Sequence, residues 1–221
     1  MVAIQTSGKY FREYPRLDEK LSNFIEDRKL MAKPAIIWQC SLINDVEVDA
    51  NDQSVKSALQ LGAKSEQHDE GWWYSFRSNQ QVVPVFDGVA THSILDGDGW
   101  TTEFHSDGHI LAGLWTFPFA PGQEEQTLCV AKFHKQAFTD FGLLVANLRE
   151  ASSTEGECLI TCTVLNSAQL GFHNQGYRNE LRRVHREHLH WRVRGAKSRE
   201  QIQLVSQLMG IEFLRAYGFS S

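Results

Sequence analysis

Nowhere does this 221-residue chain approach the run of roughly 18 apolar residues that a membrane-spanning helix needs. Residues 1–16 are polar and aromatic, without the apolar stretch of a secretory leader, so a cytoplasmic protein is expected. Cysteine is scarce: four residues, none in Cys-x-x-Cys spacing, which argues against a zinc ribbon or a dithiol redox motif and for buried, reduced thiols. Also missing are a Walker A sequence, a dinucleotide-binding glycine fingerprint, a Gly-x-Ser-x-Gly elbow and a His-Glu-x-x-His pair. No cofactor is therefore expected, and non-catalytic roles gain ground over catalytic ones. There is no internal repeat and no low-complexity tract.

What is present is an ordinary apolar content of 42% and a generous set of aromatics, 13 Phe, 6 Trp and 5 Tyr, many in short strand-like runs. Residues 17–31 fit an amphipathic helix stopped by Lys33-Pro34, and 35–43 read as a buried strand. Asp45 to Asp49 alternates as a second strand, and Asp52 or Ser54 caps a short helix that Gly62 ends. Trp72, Tyr74 and Phe76 share a strand face, with Trp72 to Tyr74 as a candidate stacking platform, and Pro84 marks 82–86 as an edge strand. The clearest turn is Ser106-Asp107-Gly108-His109, joining strands 100–105 and 110–117. With Asp107-Gly108 as a two-residue loop, His105 would pair with Ile110, and His105 and His109 would face opposite ways. Pro118 to Gln126 reads as a loop and 128–133 as a short strand. The stripe Ala137, Phe138, Phe141, Leu144, Val145 and Leu148 makes 134–149 a long helix. Cys158 to Leu165 is a strand, and 166–185 a long connection.

Arg186 to Arg194 then alternates strictly. Leu189, Trp191 and Val193 fall on one face, and Arg186, His188, His190, Arg192 and Arg194 on the other. Ser198 and Gln201 form a capping-box pattern for a helix over 199–217, with Gly218 as its stop. The second half thus has the order β-β-(β)-α-β-β-α. The expectation is an α+β fold, a mainly antiparallel sheet with the two long helices at 134–149 and 199–217 packed on it. It forms a single domain, or two lobes at 1–95 and 96–221.

Charge singles out one segment. Residues 178–199 hold eight basic residues and two acids, a local +6 that leaves −11 for the rest of a chain whose formal charge is −5. Arg182, Arg183, Arg186, His188, His190, Arg192 and Arg194 are the candidate contacts to a nucleic-acid backbone or an acidic protein surface. His188 and His190, two apart on a strand, are also candidate metal ligands, although a third ligand is needed and the flanking arginines repel a cation. A hydrolase or nuclease built on them is one alternative. A structural subunit of a homo- or hetero-oligomer is another. Asp96-Gly97-Asp98-Gly99 lacks the closing acid of a calcium loop and reads as a turn.

Two segments, Thr101 to Ile110 with its following apolar strand and the tail from the 186–194 strand through Gln203 to Phe219, resemble the C-terminal region of bacterial AlbA-like, Schlafen-related DNA-binding proteins. With the helix at 134–149 the resemblance covers about the last 120 residues, as a pattern of residue types. It implies an architecture and a prokaryotic setting near nucleic acid, in a regulatory or defence assembly. No catalytic residue carries over. Residues 1–95 contain no counterpart of that family's N-terminal domain.

Overall fold

The computed structural model describes residues 10–63, 76–78, 80–92, 99–115, 119–120, 123–173 and 181–219. In chain order these form α1 (Pro15–Asp27), β1 (Ala35–Leu42), α2 (Gln53–Leu61), β2 (Val83–Val85), β3 (Gly88–His92), β4 (Trp100–His105), β5 (Ile110–Leu114), β6 (Phe119–Ala120), β7 (Gln123–Val130), α3 (Ala131–Ala151), β8 (Cys158–Leu165), β9 (Leu170–His173), β10 (Leu189–His190), β11 (Arg194–Ala196) and α4 (Arg199–Ala216). The fold is α+β with a mainly antiparallel sheet. The main sheet runs β10-β8-β1-β5-β4-β3-β2, with β11 also on β8, while β6, β7 and β9 make a smaller sheet whose β7–β9 pair is parallel. Among the described residues no helix is long and apolar enough to cross a membrane.

Period-two patterning divides the main sheet cleanly. Ile36, Trp38 and Cys40 of β1, Phe104 of β4, Ile110 and Ala112 of β5 and Ile160 and Cys162 of β8 face a core shared with α2, α3 and α4. Trp38 sits at its centre, with ring centroids 5.6 Å from Phe76, 5.5 Å from Phe138 and 6.4 Å from Phe141. The other face carries Ala35, Ile37, Leu111, Trp115 and Leu165, which pack on Leu17, Leu21, Phe24 and Ile25 of α1. Central β1 is therefore buried on both faces, matching its unbroken apolar run. Cys40, Cys158 and Cys162 are buried free thiols.

The local signals place the elements well. Pro15 opens α1, Asp52 caps α2 by accepting from the Ser54 N–H, Ser198 caps α4 by accepting from Gln201, and Gly218 (φ +75°) follows the end of α4. Pro84 lies on β2, the edge strand. Four expectations are corrected. Residues 45–49 form no strand, because their backbone turns toward the hairpin, where the Val48 N–H reaches the Ser106 carbonyl at 2.7 Å. Residues 123–126 belong to β7 instead of a loop, and α3 begins at Ala131 instead of the strand continuing to 133.

The third correction concerns the β4–β5 turn. Phe104 pairs with Ile110, the His105 N–H donates to the His109 carbonyl, and Ser106-Asp107-Gly108 is a three-residue loop with Gly108 at φ +72°. That left-handed residue is the one a three-residue hairpin requires. His105 and His109 consequently lie on the same face. The fourth concerns 186–194. Leu189 pairs with Val164 and His190 with Thr163, but Arg194 pairs with Ile160, so one extra residue is accommodated between Trp191 and Arg194. The bulge turns Val193 onto the α1 face and Arg194 onto the helix face, and it breaks the strand into β10 and β11. The strand expected through Trp72 and Tyr74, the Asp96–Asp98 part of the next turn and Arg178 lie outside the described residues.

Candidate functional site

The basic segment runs from a bridge to β9 of the smaller sheet at Arg182 to the outer edge of the main sheet at β10 and β11, and the structure divides its cations into two groups. Arg194 is tied to Glu212 of α4 at 2.6 Å, Lys197 to Glu157 at 3.4 Å and Arg199 to Glu150 at 3.2 Å. The Arg182 guanidinium lies 5.0 Å over the Phe219 ring, and its backbone bridges to Phe172. Arg183, Arg186 and Arg192 are exposed and form no ion pair among the described residues. Of the arginines on the single basic face expected from alternation, only Arg186 and Arg192 are left, since the bulge carries Arg194 to the opposite side.

The histidines of this edge are held by the protein itself. His188 Nδ1 accepts from the Asn166 N–H at 3.2 Å, and His190 Nδ1 lies 3.1 Å from the Thr163 hydroxyl. The His190 ring packs at 5.4 Å from Tyr10 and 5.8 Å from Phe11. Desolvation there, with the neighbouring His188, pushes its pKa down to about 4. Among the described residues no three His, Cys, Asp or Glu side chains gather in a way that could hold a metal ion, so His188 and His190 have no third ligand there.

A second constellation was hidden in the sequence. Because α1 spans β1 and β5, it leaves part of β4 as the floor of a cleft of about 680 Å³, walled by α1, the β2–β3 turn and the β4–β5 turn. Alternation on β4 puts Glu103 and His105 side by side on this floor, both nearly buried. Glu103 accepts from Arg28 at 2.6 Å through one oxygen and faces His105 Nε2 at 3.2 Å with the other. His105 Nδ1 lies 3.4 Å from the Lys20 ammonium, which also reaches Asp107 at 3.1 Å and Asp87 at 3.5 Å. Asp107 in turn pairs with Arg16 at 3.0 Å. With Lys20 donating to Nδ1, the imidazole proton belongs on Nε2, facing Glu103.

The electrostatics follow from this chain of contacts. Burial pushes the Glu103 carboxyl up, but the bonds from His105 and Arg28 outweigh it and hold the group below its usual value. For Asp107 burial is likewise overcome, by the His109 N–H and the Lys20 charge, and its pKa falls to about 2. His109, fully buried behind the cleft, is held well below the usual histidine range by burial and by the neighbouring His105. Its Nε2 faces the Gln39 amide nitrogen at 3.5 Å. The three cations of the cleft are all paired, whereas Glu19, Glu26 and Asp27 of α1 line it without ion pairs among the described residues. Phe86, 95% exposed, stands at its lip.

The sequence held one usable signal for this site, the alternating Glu103 and His105 on a strand. It held none for Arg16, Lys20 or Arg28, which look like the polar side of an amphipathic helix. No protein-family model matches the chain, and no curated protein is significantly similar to it.

Proposed function

We propose that this chain is a non-catalytic binding module that holds a nucleic-acid backbone through Arg186 and Arg192 at its outer sheet edge and the exposed Arg183 that precedes them. The observation that carries this reading is the division of the basic segment. Arg194, Lys197 and Arg199 are neutralised within the fold, while these three guanidiniums stand exposed without an ion-pair partner among the described residues. Arg186 and Arg192 are six residues apart, a separation of at most about 20 Å at roughly 3.3 Å per residue, enough to span more than one phosphate. Such contacts position a backbone and read no bases. His188 and His190, turned onto Asn166 and Thr163, flank the surface and shape it.

The test is a titration with a duplex DNA of arbitrary sequence at several salt concentrations, comparing the chain with Arg183→Ala/Arg186→Ala/Arg192→Ala. Three phosphate contacts correspond to a slope of log K against log salt of about −3, and the triple variant removes most of it. No binding at low salt, or equal binding by the variant, ends the proposal.

The bonded Glu103–His105 pair at the cleft floor favours a second reading, in which the cleft takes a small polar molecule and His105 serves it as an acid or base. Glu103 would orient the ring through Nε2, leaving Nδ1 for the proton once Lys20 swings aside. A panel of small amines, carboxylates and phosphates screened by thermal shift tests it. A compound that raises the melting temperature of the wild type and leaves that of His105→Asn unchanged supports this reading; a panel without effect on either removes it.

A further inference from the structure

Helix α4 buries one stripe and exposes another. Ile202, Ser206, Met209 and Phe213 turn inward, and Gly210 brings the helix close to Lys135 and Phe138 of α3. Directly opposite, at i, i+4, i+8, i+11 and i+15, lie Glu200, Leu204, Leu208, Ile211 and Arg215. Leu204 is 56% and Leu208 43% exposed, Ile211 is half-buried, and both ends of the stripe are open to solvent. The apolar middle is therefore bounded by an acid at the helix N-terminus and a base at its C-terminus.

That order makes the stripe complementary to itself in one orientation. When two copies of α4 pack antiparallel about a two-fold axis near the middle of the stripe, Glu200 of each meets Arg215 of the other. Leu204 meets Ile211, and Leu208 lies beside the axis. Parallel packing instead places like charges together at both ends. A two-fold contact uses the same patch twice, so every favourable pair occurs in duplicate. The antiparallel arrangement also sets opposite ends of the two helix dipoles side by side. We infer that this face of α4 docks on α4 of a second copy of the chain, forming an antiparallel homodimer. From Glu200 to Arg215 the stripe spans about 22 Å at 1.5 Å per residue. One helix per partner sits at the small end of specific interfaces, so the dimer is a weak one.

Sedimentation equilibrium on the full chain from about 2 to 200 µM, with circular dichroism to confirm folding, tests the inference. The expected result is a mass rising from 25.2 kDa toward twice that value. Glu200→Arg and Arg215→Glu each place like charges at both ends of the dimer and weaken it about tenfold. Mixing these two variants restores pairing, because the arginines of one copy then meet the glutamates of the other at both ends. A parallel dimer already has like charges at both ends, so neither single variant would weaken it. A wild type that stays monomeric at 200 µM overturns the inference, and so does a dimer insensitive to Leu204→Glu/Leu208→Glu. Single charge variants that dimerise as well as the wild type, or a mixture no better than its components, overturn it too.

Discussion

His105 and His109 face each other across the β4–β5 turn with ring centroids 6.2 Å apart, on the face of the sheet that α1 covers. One lies at the edge of the cleft beside Lys20 and Glu103, while the other is sealed behind it against Gln39. Two histidines four positions apart thus occupy opposite regimes, one in a network of charges and one kept neutral by burial.

The buried His109 makes stability depend on pH. Its folded pKa lies well below 6.5, so above pH 6.5 both folded and unfolded chains leave it neutral and it costs nothing. As pH falls below 6.5 the unfolded chain takes up a proton that the folded one refuses. Stability then drops by up to about 1.4 kcal/mol per pH unit until the folded pKa is reached. Urea unfolding at pH 7.5 and 5.5 should show this loss in the wild type. His109→Gln should remove about half of it, because His190, with a folded pKa of about 4, loses stability over the same range below pH 6.5.

Breaking the floor of the cleft should cost more from one side than from the other. Arg28→Met leaves the nearly buried Glu103 carboxylate with His105 as its partner and no full cation beside it, and a loss of about 2 kcal/mol is expected. Glu103→Gln removes the buried charge itself and should cost about 1 kcal/mol. Denaturant midpoints at pH 7.5 measure both. Equal costs would mean that Arg28 contributes through its packing and not its charge.

Gly142→Ala should destabilise, although alanine is the better helix former by about 1 kcal/mol. A Cβ at this position would stand 2.6 Å from Ser206 Oγ and 2.7 Å from Ser206 Cβ, where α3 and α4 cross. The helices must part, at a net cost of about 1–3 kcal/mol. Adding Ser206→Gly should recover part of it, since that removes the opposing atoms. Thermal unfolding of the single and double variants checks both statements.

Asp18→Ala should release the segment 10–14 that precedes α1. The Asp18 carboxylate, almost wholly buried, accepts from the backbone N–H groups of Tyr10 and Phe11, whose rings cover His190. Without it those donors have lost their charged acceptor, and cleavage by trypsin after the exposed Arg12 should accelerate at least about tenfold. Global stability should change less than this local opening, and limited proteolysis followed by mass spectrometry separates the two.

Much of the fold was legible because its signals are local. Apolar periodicity marks α1, α3 and α4, Asp52 and Ser198 announce helix starts, and Gly62 and Gly218 announce ends within a few residues of the positions they act on. The candidate sites were only half legible, since both turn on one residue of register. A three-residue loop in place of a two-residue one brings His105 and His109 together, and one bulged residue sends Arg194 across the sheet to Glu212. Alternation tells which residues share a face only while the ladder is regular.

Composition and spacing over short windows were enough to settle the class of fold, the main helices and strands and the presence of a basic segment. Which charges meet is a property of the folded chain. Arg16 finds Asp107 across 91 positions and Arg28 finds Glu103 across 75, because α1 lies over the strands from which those acids project. That packing assembled the cleft, while the register of the sheet edge and the docking of α4 neutralised part of the basic segment and left Arg183, Arg186 and Arg192 exposed. Strand register and helix docking are set by the burial of the whole core, a sum over distant residues that no short window of sequence contains.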